Sequence, residues 1–135
     1  MRIDRDLMRG AGPVAVLKLL ERRPMYGYEL VEALATKTGG VLDMGQSTLY
    51  PMLYNLEAKG LIEATWQTGD SGRERKYYAL TSDGSRKLKE DSQQWASLIQ
   101  AMKALGLDGA QAIRNMALGR AFGRVMVQIS MGGAQ

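Results

Sequence analysis

The sequence predicts a mainly α fold carrying one small β hairpin. Three observations point there. Apolar residues recur at helical spacing in short runs closed by Pro or Gly before residue 60. Two alternating segments flank Gly69-Asp70-Ser71-Gly72. A long stretch after residue 81 repeats apolar side chains every seven positions. With 135 residues, 45% hydrophobic and 24% charged, the chain suits one ordinary domain, or one domain with an appendage.

The first helix is expected at Pro13, a residue favoured at the first helical position, and runs through Val14–Leu20 to Arg23, where Pro24 closes it. The segment before Pro13 reads as an arm, either a further helical turn or flexible. A second helix begins at Tyr26-Gly27-Tyr28 and continues to about Lys37, with Leu30, Ala33 and Leu34 as its apolar stripe and Gly39-Gly40 as its stop. A third covers about Gln46 to Lys59. Leu49, Leu53 and Leu56, with Met52 beside them, form its core face. The opposite face carries Ser47, Tyr50, Pro51, Tyr54 and Asn55, which are polar or aromatic and uncharged. Ser47 is a candidate N-cap, which would make Pro51 cheap so near the helix start.

Leu61–Trp66 and Arg75–Leu80 read as the two strands of the hairpin, with Arg73, Arg75 and Lys76 as a basic shoulder at its tip. Arg75 and Lys76 have Glu74 and Glu63 as candidate ion-pair partners. Ile62, Tyr78 and Leu80 read as core, and Tyr28 as core or surface. Thr81-Ser82-Asp83-Gly84 supplies capping chemistry for a fourth helix reaching Leu105. Leu88, Trp95 and Met102, joined by Leu98 and Leu105, make an interrupted heptad seam that requires a partner helix from this chain or a second copy. Residues 110–131 suggest a fifth helix containing Arg114, Arg120 and Arg124. An extra packing or dimerisation helix explains it better than a membrane-surface one.

The chain has no histidine and no cysteine. Disulfides, thiolate nucleophiles, Cys/His zinc sites and histidine acid–base chemistry are therefore excluded. With the carboxylates scattered over helical surfaces, no catalytic residues, metal site or cofactor are expected. The net charge is +4. Residues 1–80 carry 11 basic and 10 acidic side chains, and residues 81–135 carry 7 and 4. An anionic partner would thus meet a local patch rather than a polycation. No signal peptide or membrane span is expected, so a cytoplasmic protein is the default reading.

Three short helices, a two-stranded hairpin and a long helix, in that order, describe a winged helix-turn-helix with C-terminal dimerisation helices. Residues 1–81 would form the DNA-binding domain and 82–135 the helical dimerisation region. In this arrangement the third helix enters the major groove and the hairpin tip reaches the adjacent backbone or minor groove. The spacing alone also fits a winged helix that serves as a protein-interaction adaptor without specific DNA binding.

Three linked blocks carry a more specific signal. They are Met25-Tyr26-Gly27-Tyr28-Glu29-Leu30, the run from Ser47 to Ile62, and Arg73-Glu74-Arg75-Lys76-Tyr77-Tyr78-Ala79-Leu80-Thr81 with Gly84. Together they resemble the PadR family of bacterial transcriptional regulators over about residues 9–105. Where that family often has Gly before the Thr-Leu-Tyr-Pro run, this chain has Ser47. The resemblance implies a homodimeric repressor of double-stranded DNA with an inverted-repeat operator, near its own promoter or a transport or detoxification operon. It implies a DNA contact for the Tyr50 hydroxyl and a backbone contact for Tyr26. Gln46, Ser47 and Thr48, at the start of the third helix, are placed for phosphate or base contacts, with Tyr54 and Asn55 further along. Arg73 and Lys76 on the wing are the phosphate candidates. Trp95, with Leu98 and Ile99, is the candidate site for a small aromatic or hydrophobic effector. The competing reading packs Trp95 in the dimer seam.

Overall fold

A computed structural model describes residues 1–109 of the chain. The expected fifth helix at 110–131 lies outside the described residues. Four helices and three short strands follow in the order α1 (Arg5–Leu20), β1 (Met25–Tyr26), α2 (Gly27–Lys37), α3 (Gln46–Ala58), β2 (Ile62–Thr68), β3 (Glu74–Leu80) and α4 (Ser82–Ala104). This is the mainly α architecture with a hairpin wing that the sequence predicts. The chain divides into two compact units, Met1–Asp91 and Ser92–Gln135.

Two expectations about helix starts are corrected. The first helix begins eight residues before Pro13. Asp4 caps it, its carboxylate accepting the Leu7 N–H at 3.0 Å. Pro13 is internal, where it removes one ladder bond at about 3 kcal/mol. Burial outweighs that loss. Met8 lies under the core on one side of the proline, and Val16, Leu17, Leu19 and Leu20 on the other. Each contributes roughly 1.5–3 kcal/mol. The N-terminal arm is also tied down, with the Ile3 N–H donating to the Val41 carbonyl at 3.2 Å.

Ser47 is not an N-cap. Gly45 takes that position in extended backbone, and its carbonyl accepts the Thr48 and Leu49 N–H groups at 3.1 and 3.0 Å. The core face of α3 is as predicted, with Leu49, Met52, Leu53 and Leu56 all buried. Gly40 closes α2 in left-handed backbone, its N–H donating to the Ala35 carbonyl at 2.8 Å.

The sheet has three antiparallel strands in the order β1-β3-β2. Strand β1 is an addition to the sequence reading. Met25 pairs with Tyr78 and Tyr26 with Tyr77. Across the hairpin, Ile62 faces Leu80, Ala64 faces Tyr78 and Trp66 faces Lys76. Ile62 and Tyr78 are buried and Leu80 packs against the core, as expected.

The first turns of α4 belong to the first unit. Gly84 seats the helix against the β2 entrance, and the Thr81 hydroxyl accepts the Gly84 N–H at 3.0 Å while donating to the Gly60 carbonyl at 2.6 Å. Leu88 is 3% exposed within this chain's own core.

In the second unit α4 continues from Ser92 to Ala104, and Leu107 folds back with its N–H donating to the Met102 carbonyl at 2.8 Å. Leu98, Ile99, Met102 and Leu105 are exposed there and Trp95 is half-buried. Among the described residues no helix is long and apolar enough to cross a membrane.

Candidate nucleic-acid interface

Burying Leu49, Leu53 and Leu56 turns the other side of α3 outward, because residues on opposite faces of a 3.6-residue helix cannot both meet the core. Gln46, Ser47, Tyr50, Tyr54 and Asn55 are exposed on α3, and Thr48 is half-buried. Tyr54 is the most open of them at 72%. From Gln46 to Asn55 no charged side chain interrupts this face, which leaves its amide and hydroxyl groups to hydrogen-bond base edges and phosphate oxygens; the carboxylate further along it, Glu57, is met by Lys76.

A cleft of about 680 Å³ lies between α3, the start of α2 and the wing. Gln46 and Tyr50 line it from α3, Tyr26, Gly27 and Tyr28 from the β1–α2 junction, and Trp66, Arg73, Glu74, Arg75, Lys76 and Tyr78 from the hairpin. Of the predicted contact residues, the cleft thus unites Tyr26, Gln46, Tyr50, Arg73 and Lys76. Ser47 and Thr48 sit elsewhere, in a smaller groove of about 360 Å³ shared with Arg2 and Arg5 of the N-terminal arm. Tyr54 and Asn55 continue along α3 beyond the cleft wall.

Close packing sets the position of Tyr50. A Cβ on Gly27 would fall 2.7 Å from the Tyr50 hydroxyl oxygen and 2.8 Å from its Cε1, so the phenol rests directly on the α2 backbone. The residue is still 43% exposed. Tyr50 therefore both packs on helix two and lines the cleft.

The wing cations differ from one another. Arg73 is exposed at the tip, beyond the turn closed by Gly72 N–H donating to the Gly69 carbonyl at 2.9 Å. Lys76 does not pair with Glu74 or Glu63. Its Nζ lies 3.8 Å from Glu57 on α3 and 5.5 Å from the centre of the Tyr78 ring. This bridge ties the wing to α3 and partly neutralises Lys76. Arg75 turns its guanidinium over the Tyr26 ring, 4.4 Å from the centroid. Tyr28 is 56% exposed and so belongs to the surface rather than the core.

Sequence reasoning missed Arg75, Tyr28 and Trp66 as cleft residues. Trp66 is 66% exposed on β2 although it alternates in phase with Ile62 and Ala64. The hairpin outruns the helices beneath it, so its far end has no core to cover it. In the second unit, Trp95 and Leu98 line a hollow of about 550 Å³ with Gln94, Ser97 and Ala101, and Ile99 is exposed outside that lining.

Residues 16–90 match the transcriptional regulator PadR-like family. The chain belongs to that family. Like other PadR-like regulators it is a DNA-binding protein of the winged-helix class and not an enzyme. It is similar to a PadR family transcriptional regulator of known structure from Eggerthella lenta, at 40% identity and a TM-score of 0.63, over 74% of this chain and 85% of that one. A transcriptional regulator from Clostridium thermocellum superposes with a TM-score of 0.68 at 26% identity, over 76% and 96%. Among curated sequences, Transcriptional regulator YqjI of Escherichia coli is 30% identical over 103 residues, which are 76% of this chain and 48% of that protein. An uncharacterised Lysinibacillus sphaericus protein is 33% identical over 93 residues, 69% of this chain and 85% of its own length.

Proposed function

We propose that this PadR-like protein is a homodimeric repressor that reads an inverted-repeat operator and is released by a small aromatic or hydrophobic effector. The observation that carries the DNA reading is the cleft. It sets the exposed, uncharged Gln46–Tyr50 end of α3 beside three wing cations, and this pairs base readout with phosphate attraction in one surface. Gln46, Ser47, Thr48, Tyr50, Tyr54 and Asn55 are the groups we assign to the groove and its flanking phosphates. Arg73 contributes phosphate attraction from the wing tip, with Lys76 behind it. The apolar side chains left open at Leu98, Met102 and Leu105 support an association surface, and the hollow at Trp95 supports an effector site.

A mobility-shift titration against duplex DNA from upstream of the protein's own gene tests the reading. A specific shift is expected, with log Kobs falling linearly in log salt by about 0.9 per phosphate neutralised. Arg73→Gln should weaken specific and unrelated duplexes alike, whereas Tyr50→Phe and Ser47→Ala should act mainly on the specific one. Binding that ignores salt, or no shift of any duplex, would overturn it.

A further inference from the structure

One arrangement in the cleft is not explained by direct contact to DNA. The Tyr26 ring is held from several sides. Its residue pairs with Tyr77 across β1 and β3, the two rings meet edge to face at 5.4 Å and 76°, and the Tyr26 N–H donates to the Glu29 carboxylate at 3.2 Å. Glu29 is in turn paired with Arg23 at 3.0 Å, so its charge is already taken. On the ring fixed in this way lies the Arg75 guanidinium. We propose that Tyr26 is a positioning residue, and that the cation it positions, Arg75, is the wing's principal phosphate contact. This inference rests on the cleft being the DNA interface.

The chemistry favours Arg75 over its neighbours. A guanidinium stacked on an aromatic ring spends its flat face, while its N–H groups point outward in the plane and remain available to a phosphate. Arg73, exposed at the tip, keeps the rotamer freedom of a long side chain, which contact with DNA must remove. Arg75 is half-buried and lines the cleft. Lys76 is bridged to Glu57, whereas Arg75 forms no ion pair among the described residues. Stacking thus orders the cation before DNA arrives without neutralising it.

The test compares Tyr26→Phe, Tyr26→Leu, Arg75→Gln and the Tyr26→Leu/Arg75→Gln pair in the full chain. Fluorescence anisotropy measures their binding to a labelled duplex from upstream of the protein's own gene, and to an unrelated duplex of the same length, across a potassium chloride series. Thermal unfolding is followed alongside. Tyr26→Phe keeps the ring face and should bind like the wild type. Tyr26→Leu should weaken both duplexes roughly three- to tenfold. Arg75→Gln should weaken both at least as much and reduce the salt slope by about 0.9. The double variant should bind no more weakly than Arg75→Gln alone, because both changes remove one interaction. A Tyr26→Phe variant as weak as Tyr26→Leu would overturn the proposal in favour of direct contact through the hydroxyl. An undiminished salt slope in Arg75→Gln, or losses that multiply in the double variant, would overturn it as well. Failure of the wild type to bind either duplex would instead remove the interface reading and this inference with it.

Discussion

Tyr78 shows how one residue joins the core to the cleft. Its ring is buried beneath the wing, and burial pushes its hydroxyl above the ordinary value of 10.0, although Lys76 nearby pulls the other way. The raised value means the folded protein favours the neutral phenol. That contribution to stability is complete below pH 10 and fades as the pH climbs through the folded-state value. Tyr78→Phe, which cannot ionise, should lose less stability than the wild type between about pH 9 and 11 in denaturant titrations. Equal alkaline losses in both proteins would refute this account. The residue scale is also where the sequence was least legible. The Arg73-Glu74-Arg75-Lys76 run announces a basic wing, yet nothing in it says which cation stacks, which bridges and which stands free. Those outcomes depend on Tyr26 and Glu57, which are remote in the chain and brought close only by strand pairing and helix packing.

At the scale of elements, repeated apolar spacing carried most of the prediction. Leu49, Leu53 and Leu56 disclose both the extent of α3 and its outward face, because one periodicity decides both. Strand β1 leaves no such trace. Two residues show no period, and Met25-Tyr26 becomes a strand only because β3 lies beside it. The start of α1 was masked by Pro13 and two nearby glycines, although Asp4 and Met8 held the cap and the buried contact. Two glycines at this scale give opposite expectations. A Cβ on Gly84 would collide with the Leu61 carbonyl and sit 2.9 Å from Leu80 Cδ1, forcing α4 away from the sheet. Gly84→Ala should therefore destabilise by about 2 kcal/mol or more, lowering Tm by roughly 5–10 °C. Gly10 in α1 has nothing within 4 Å of its would-be Cβ. Gly10→Ala should raise stability by about 0.5–1 kcal/mol through helix propensity alone. Calorimetry of the two variants checks both signs. A Gly84→Ala protein that melts with the wild type would refute the close seating of α4.

On the scale of the whole molecule, the first unit presents one candidate reading head, and the inverted repeat we propose would require two. The candidate means of pairing is the apolar side of α4 in the second unit. Leu98→Glu and Met102→Glu place charge on that exposed surface without touching the core of the first unit. Sedimentation should show a dimer in the wild type and a monomer in these variants. The coupling of two half-sites would then be lost, weakening operator binding on the order of a hundredfold or more. Unchanged mass in both variants would exclude this surface as the dimer contact. The three-stranded sheet bears on the order of assembly. Pairing Tyr26 with Tyr77 closes a loop that contains α2, α3 and the hairpin's first strand. Closing so long a loop carries an entropic cost, recovered only once the helices within it have collapsed. The pairing is accordingly expected to form after the helices it encloses, and Tyr26→Pro, which removes the strand, should speed unfolding more than it slows folding in stopped-flow chevrons.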